Sequence, residues 1–498
     1  MLLSILRDLR TDRFGATAQN AKDGVLQMLF GAREAGWRGM SLAAVVGLGM
    51  SGLGWVAGAQ AEPMVQAIQG LVNDHPQIRA AKSALEAANQ GLRRETAVML
   101  PQVSLTAGAG YEHTDSLATR QAGNDNERLF ATNASVQVRQ NLFNGFASYA
   151  GRSSAKALIG AADNTLSAVS QNVVLEGVTA YLNVLRNREL VRLNAGNEHA
   201  ITEQLELEDE RVTRGSGISV DVLLAKSRLQ IAKEQSLAFG GALKDSESTY
   251  VQVFGHAATL DDMAALSVSP DLLPESEEAA RKLLQANNPI IKIASFQAES
   301  ALHERRRAKS TYMPTVDLVG TANIENNLSG VEDVRHDYSI KVEATWQLFD
   351  GLLTPANTAE ATARYQEAVE NGRDVGRKTV ELMELSWHEM EVARQRADLL
   401  RNAMNIAGEV FQSRIDLREA GKETAINVLD AENELYSACI NFVNAFFDSQ
   451  VAAFRVLNTL GRLDAVAVSQ SRPVEQSAVI GQCGFSDAGG GEYRPNTN

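Results

Sequence analysis

Few residues in this sequence have types and spacing that could do chemistry, and none falls into a working set. His388-Glu389-Met390-Glu391-Val392 puts a histidine beside two carboxylates, as a zinc-protease helix would. The second histidine of that motif is missing, so the run reads as the solvated face of a helix. His75, His113, His199, His256, His303 and His336 show no ligand spacing. Cys439 and Cys483 are too few for a four-ligand zinc site or a disulfide framework. A lone disulfide would be sterically possible in an oxidising compartment, but the sequence gives no reason to expect it. Gly47, Gly49 and Gly52 spell a dinucleotide fingerprint but lack the strand that must precede it. There is no nucleophile elbow and no phosphate loop. The expectation is a protein that is not an enzyme and has no metal or cofactor.

Charge supplies what chemistry remains. The 498 residues carry 47 Lys and Arg against 61 Asp and Glu, a net charge of −14. A nucleic-acid coat needs clustered positive charge and is excluded. Acidic walls, in contrast, concentrate cations without breaking a bond. An apolar fraction of 44% excludes wholesale disorder, and ten prolines in such a length leave room for long helices.

The elements that would carry those walls begin after an address. From Met40 to Ala57 the chain is apolar and small, with Arg33 and Arg38 before it and Ala59-Gln60-Ala61 after it. A positive flank, an apolar core and an A-x-A end predict a secretory signal over residues 1–61. The leader is long, and translation from Met28 would keep both arginines. No cysteine follows the cleavage point, so N-terminal lipidation is not expected.

The exported part repeats itself. Leu100-Pro101-Gln102-Val103 resembles Met313-Pro314-Thr315-Val316, and Asn73-Asp74-His75-Pro76 resembles Ala286-Asn287-Asn288-Pro289, both 213 residues apart. Leu142-Phe143-Asn144-Gly145 matches Leu348-Phe349-Asp350-Gly351 at 206, as Gly215 does Gly421 and Gly255 does Gly461. So regular an offset predicts two copies of one unit, over 62–255 and 284–464. A linker at 256–283 joins them, and the tail from 465 to 498 reads as disordered.

Each unit opens and closes with helix. Residues 64–99 are rich in helix formers, and no proline interrupts Phe146 to about Thr213. Val174, Val178, Tyr181 and Leu185 step as a coiled-coil seam. A 68-residue helix is about 100 Å long. The shorter helices, 64–99 and 221 to about 254, together match it and can stack beside it.

Between the helices lie four alternating runs: 102–111, 135–139, 316–323 and 338–348. Each has one apolar and one polar face and about the length that crosses a bilayer as a tilted strand. Residues 113–131 and 325–337 then form outer loops. Four strands cannot close a barrel, and an open edge in lipid leaves backbone groups unsatisfied. The chain must therefore associate with copies of itself.

These features together resemble the TolC family of outer-membrane channels, over residues 62–463. The likeness rests on the duplication, the Pro landmark before each first strand, the Leu-Phe-Asn/Asp-Gly after each second one, and the paired helical hairpins. It implies a mainly α fold with a membrane β-barrel: a homotrimer whose twelve strands continue into an α-helical periplasmic tunnel. It also implies work with a periplasmic adaptor and an inner-membrane ABC exporter or drug pump, in type I secretion or multidrug efflux. Without a lipidation cysteine, the chain looks more like the secretion branch.

The likeness carries residues over only at the hairpin tips. Arg211, Gly215 and Asp221 match the first tip, and Gly421, Val428, Leu429 and Asp430 the second. In the family an aspartate ring narrows the periplasmic mouth where Asp430 falls; Asn427 stands at the neighbouring aspartate. The family's adaptor-docking Val-Gly-Leu is Arg214-Gly215-Ser216 here, so Arg211, Gly215 and Gly421 are the docking residues that remain. Arg418 and Glu423 replace the tyrosine and arginine of the family's latch. Arg418 is expected to pair with Asp221, and Glu423 to repel it. The rival reading of these positions is a set of solvated tip charges. Two other functions compete: a periplasmic coiled-coil adaptor, which leaves the strands unexplained, and an exported hydrolase, for which no catalytic set exists.

Overall fold

The computed structural model describes residues 64–121, 128–215, 218–260, 263–330 and 332–473. The expected signal and start, and Cys483, lie outside them. The chain opens with α1 (Met64–Asp74) and α2 (Pro76–Ala97). The sequence had suggested one helix here. Pro76 has no N–H to donate and suits the first helical turn, so it starts α2 rather than extending α1.

Next come β1 (Gln102–His113), a short α3 (Leu117–Gln121), β2 (Arg128–Asn144), α4 (Ala147–Thr213) and α5 (Ser219–Phe254). After β3 (Leu266–Ser267) the same series returns: α6 (Glu277–Asn287), α7 (Pro289–Lys309), β4 (Thr315–Asn326), β5 (Val334–Thr345), α8 (Leu353–Glu419) and α9 (Ala425–Thr459). The first residues of α1 and α6, and of β1 and β4, lie 213 positions apart; those of α4 and α8, and of α5 and α9, lie 206 apart. Backbone strain recurs with them, since Phe146 and Leu352 both enter their long helices at φ 68° and 70°.

Three expectations need correcting. The loops are shorter than 113–131 and 325–337, because β2 and β5 begin early at Arg128 and Val334. The linker 256–283 contains β3 and the start of α6. Residues from Ala465 are not all tail: α10 (Ala465–Ser469) and β6 (Arg472–Pro473) fold back, and β6 pairs with β3. The Asp464 side chain caps α10 at the Ala467 amide, 2.7 Å away, which a composition-based reading overlooks.

β1, β2, β4 and β5 form one antiparallel sheet in the order β1-β2-β4-β5. The β2–β4 pair joins the two units. The register aligns Leu105 with Val136, Val136 with Ala322, and Ala322 with Tyr338, so apolar positions line up across one face. The other face is polar and bonded strand to strand: Ser135 to Asn323 at 2.6 Å, Thr321 to Ser339 at 2.7 Å, and Asn141 to Asp317 at 2.8 Å. Arg139 and Asp317 add an ion pair at 3.4 Å. This is the inverse of a soluble sheet's economy, because the apolar face stands exposed: Leu105 at 72%, Ile340 at 83%.

The helices make two layers, both built around α4. In one the order is α2-α4-α7-α8; in the other it is α5-α4-α9-α8. The seam of Val174, Val178, Tyr181 and Leu185 is buried, with Tyr436, Phe442 and Phe454 of α9 in the same core. Cys439 is buried there.

Asn288 ties the second unit together. Its Oδ1 accepts from the Ile290 and Ile291 amides at the start of α7, and its Nδ2 donates to the Thr459 carbonyl at 2.7 Å. Gly461, at φ 73°, lets the backbone of Asn287 and Asn288 come close; a Cβ there would lie 2.9 Å from both. Asn288→Ala removes a cap and leaves a buried carbonyl unpaired. It is expected to cost about 2–3 kcal/mol, read as a lower thermal unfolding midpoint of the detergent-solubilised protein.

Candidate functional site

The two hairpin tips lie at the ends of the longest helices. α4 ends at Thr213 and α8 at Glu419, and each is stopped by a glycine in the left-handed region: Gly215 at φ 77° and Gly421 at φ 71°. The Gly421 amide reaches back to the Arg418 carbonyl and that of Lys422 to Leu417, each at 2.9 Å, closing the helix end. Ser216 and Gly217 lie outside the described residues.

Arg418 does not pair with Asp221. It reaches across to α4, donating to Glu208 at 2.8 Å and to Gln204 at 2.9 Å. Glu208 also receives Arg211 at 3.2 Å and Gln204 at 2.9 Å, and its side chain is 4% exposed. A carboxylate so buried needs the two guanidiniums. Burial, together with the nearby Arg211 charge, lowers the Arg418 pKa from its ordinary value, and Glu208 opposes that. Glu208 is thus the hub that fastens the second hairpin to the first. Asp221 stays half-exposed in the first turn of α5, where the helix dipole favours a carboxylate.

Glu423 finds partners in its own hairpin rather than repelling Asp221. It binds Arg414 and the Asn427 amide, and accepts from the Thr424 backbone N–H at 3.1 Å. These bonds, that from Asn427 foremost, hold its carboxyl below the usual range, so it stays ionised. Asn427 thereby serves as a donor to Glu423.

Asp430, 62% exposed, forms an ion pair with Arg228 of α5. Two residues on, Glu432 is only 7% exposed, and burial pushes its carboxyl up to about 7, against the pull of Arg228. Neither Arg228 nor Glu432 was legible as a tip residue. The spacing of Asp430 and Glu432 on α9 is visible in sequence, but which one faces protein and which faces solvent is not. Glu208, four residues after Gln204 and three before Arg211, carried a local signal that resembled a surface pair. Among the described residues, no group of three or more His, Cys, Asp or Glu sits together as metal ligands would. No described helix is long and apolar enough to cross a membrane.

Gly215 and Gly421 are at the two turns, and Arg211 is exposed one turn above, held by Glu208. Arg214 pairs within its own helix end to Glu210. The tips therefore present a backbone turn and fixed charges to solvent, with Glu208, Glu423 and Asp430 behind them each paired to an arginine.

Proteins of known sequence and structure resemble this chain over most of its length. The family model described as "Outer membrane efflux protein" matches residues 67–256 and 280–462. Outer membrane protein TolC of Escherichia coli is 23% identical over 453 residues, covering 86% of this chain and 89% of that protein. The alkaline protease secretion protein AprF of Pseudomonas aeruginosa is 24% identical over 404 residues, covering 79% of this chain and 83% of that one. The solved outer membrane protein VceC of Vibrio cholerae superposes with a TM-score of 0.69 at 17% identity, over 80% of this chain and 96% of that one. The chain belongs to the outer membrane efflux protein family of TolC-like channels, with its helical part in the periplasm.

Proposed function

We propose that three copies of this chain assemble into an outer-membrane channel-tunnel. In it, twelve strands form the barrel and the helices form a periplasmic conduit for exported protein or small molecules. The observation that carries this is that every layer ends in open edges. The sheet ends in β1 and β5, and the two helix layers end in α2 and α8 and in α5 and α8. One head-to-tail contact repeated around an axis would cover all of these edges at once. The helix edges are apolar: α8 exposes Leu385, Val392, Leu399 and Ile406 at seven-residue steps, and α5 exposes Val220, Leu223 and Ile231. A heptad stripe without a partner in its own chain fits a coiled-coil neighbour.

The sheet supports the same reading. Backbone at a free edge has no water to bond in hydrocarbon, so only closure satisfies β1 and β5. Four strands per chain make three copies a twelve-stranded barrel, with the apolar face toward lipid and the polar face toward the lumen. The tips would meet a periplasmic adaptor, through Arg211, Gly215 and Gly421, and an ABC exporter or drug pump would supply the cargo. A family described by efflux that includes a protease secretion relative leaves protein export and multidrug efflux as two branches of one function. A periplasmic adaptor role is disfavoured, since it leaves the exposed apolar sheet face without a solvent suited to it.

The two sheet faces give a direct check. Ile340→Arg puts a charge on the apolar face and is expected to cost about 2–4 kcal/mol if that face meets mid-bilayer lipid. Ser339→Arg, one residue away on the polar face, is expected to leave assembly intact. Heat-resistant trimer in outer-membrane fractions is the readout, and equal loss in both variants would overturn the facing. The net charge of −14 and the exposed Asp430 predict a cation-preferring conductance in planar bilayers. A reversal potential showing anion preference at low salt would contradict it.

A further inference from the structure

Arg228 stands between two carboxylates. One of its terminal nitrogens, Nη2, holds Asp430, while Nη1 is buried without a hydrogen-bond partner among the described residues. Arg228 and Glu432 line one open cleft of about 390 Å³ bordered by α4, α5 and α9. The α4 wall is neutral, with Asn197 and Ile201; Arg228 is the one charge on the α5 wall, and Glu432 the one charge on the α9 wall. Asp430 does not line that cleft and is 62% exposed. The three groups thus form a cluster of two acids and one base, with Arg228 paired to Asp430 and its charge felt by Glu432.

We propose that Arg228 and Glu432 determine the cation selectivity of the channel by setting the charge that Asp430 shows at the mouth. The assignment rests on the channel reading above. With Glu432 protonated, the Asp430–Arg228 pair is neutral as a whole. With Glu432 ionised, the same cluster carries one net negative charge, and Arg228 has a second acid to turn its idle Nη1 toward. Three chains around an axis would repeat that change three times. Because burial places the Glu432 carboxyl at about 7, the mouth is the less negative below neutrality and the more negative above it. Arg228 and Glu432 are positioning residues here: the group that meets the passing ion is Asp430.

The test uses the full protein in planar bilayers, with block by hexamminecobalt(III) from the tip side measured at pH 6 and pH 8. Wild-type block is expected to tighten severalfold between the two. Glu432→Gln should stay at the weak, pH 6 level throughout, and Arg228→Gln should block more tightly than wild type at both. Arg228→Lys, which keeps the charge, should restore near-wild-type block and serves as the control if Arg228→Gln folds poorly. A conducting channel whose Glu432→Gln form keeps the wild-type pH response would overturn this assignment and leave the channel reading standing. A wild-type protein that forms trimers in the outer membrane but conducts nothing would overturn the channel reading itself.

Discussion

A backbone amide in hydrocarbon has no water to bond, and the proposed barrel follows from that constraint. Within the chain, β2 and β4 satisfy each other across the two repeated units, so neither unit is complete alone. At the outer strands the ladder stops. β1 and β5 carry apolar side chains on one face and unpaired backbone at the edge, which is unstable in water and in lipid alike unless another strand completes it. The same geometry is continued below the sheet. The long helices α4 and α8 leave β2 and β5 through matched tight turns, Gly145-Phe146 and Gly351-Leu352, all at positive φ. Each strand pair thereby enters its long helix through the same local backbone conformation.

Below the sheet the problem is different, because long helices in water must be held in register over many turns. Apolar seams alone allow sliding, since one heptad looks much like the next. Buried polar bonds do not. Tyr436 donates to Asn194 at 2.7 Å, Asn194 donates to the Ala232 carbonyl at 3.2 Å, and both side chains are buried. That chain of bonds links α9, α4 and α5 at one height, and a slip of one turn would strand every member. Glu208 repeats the device nearer the tip, where Arg418 crosses from one hairpin to the other.

The tips combine stiffness and charge. Glu423 and Arg414 pair within one hairpin, Arg418 and Glu208 join the two, and Arg228 ties α5 to α9 at Asp430. Buried ion pairs contribute little net stability, because desolvation offsets most of the attraction. Their effect is on specificity, since a half-broken pair leaves an uncompensated charge.

Much of this was legible in the residues. The period-2 runs, the Pro and Gly landmarks and the constant offsets marked the strands, the long helices and the repetition, because backbone geometry imposes those patterns locally. Helix ends at Thr213 and Phe254 were read to within a residue or two, since Gly215 and Gly255 can occupy the left-handed region that ends a helix. The partners of the charged tip residues were not legible. Arg418 was expected at Asp221 and lies on Glu208; Asp430 was placed by likeness alone, and its partner Arg228 was not foreseen. Sequence alone determined where the long helices and the four barrel-length strands run and which face of each strand is apolar, because those depend on neighbours a few positions away. The tertiary structure decided which charges are buried and with whom they pair. That depends on which helices lie side by side and at what height, and groups about 200 residues apart carry no local signal of it.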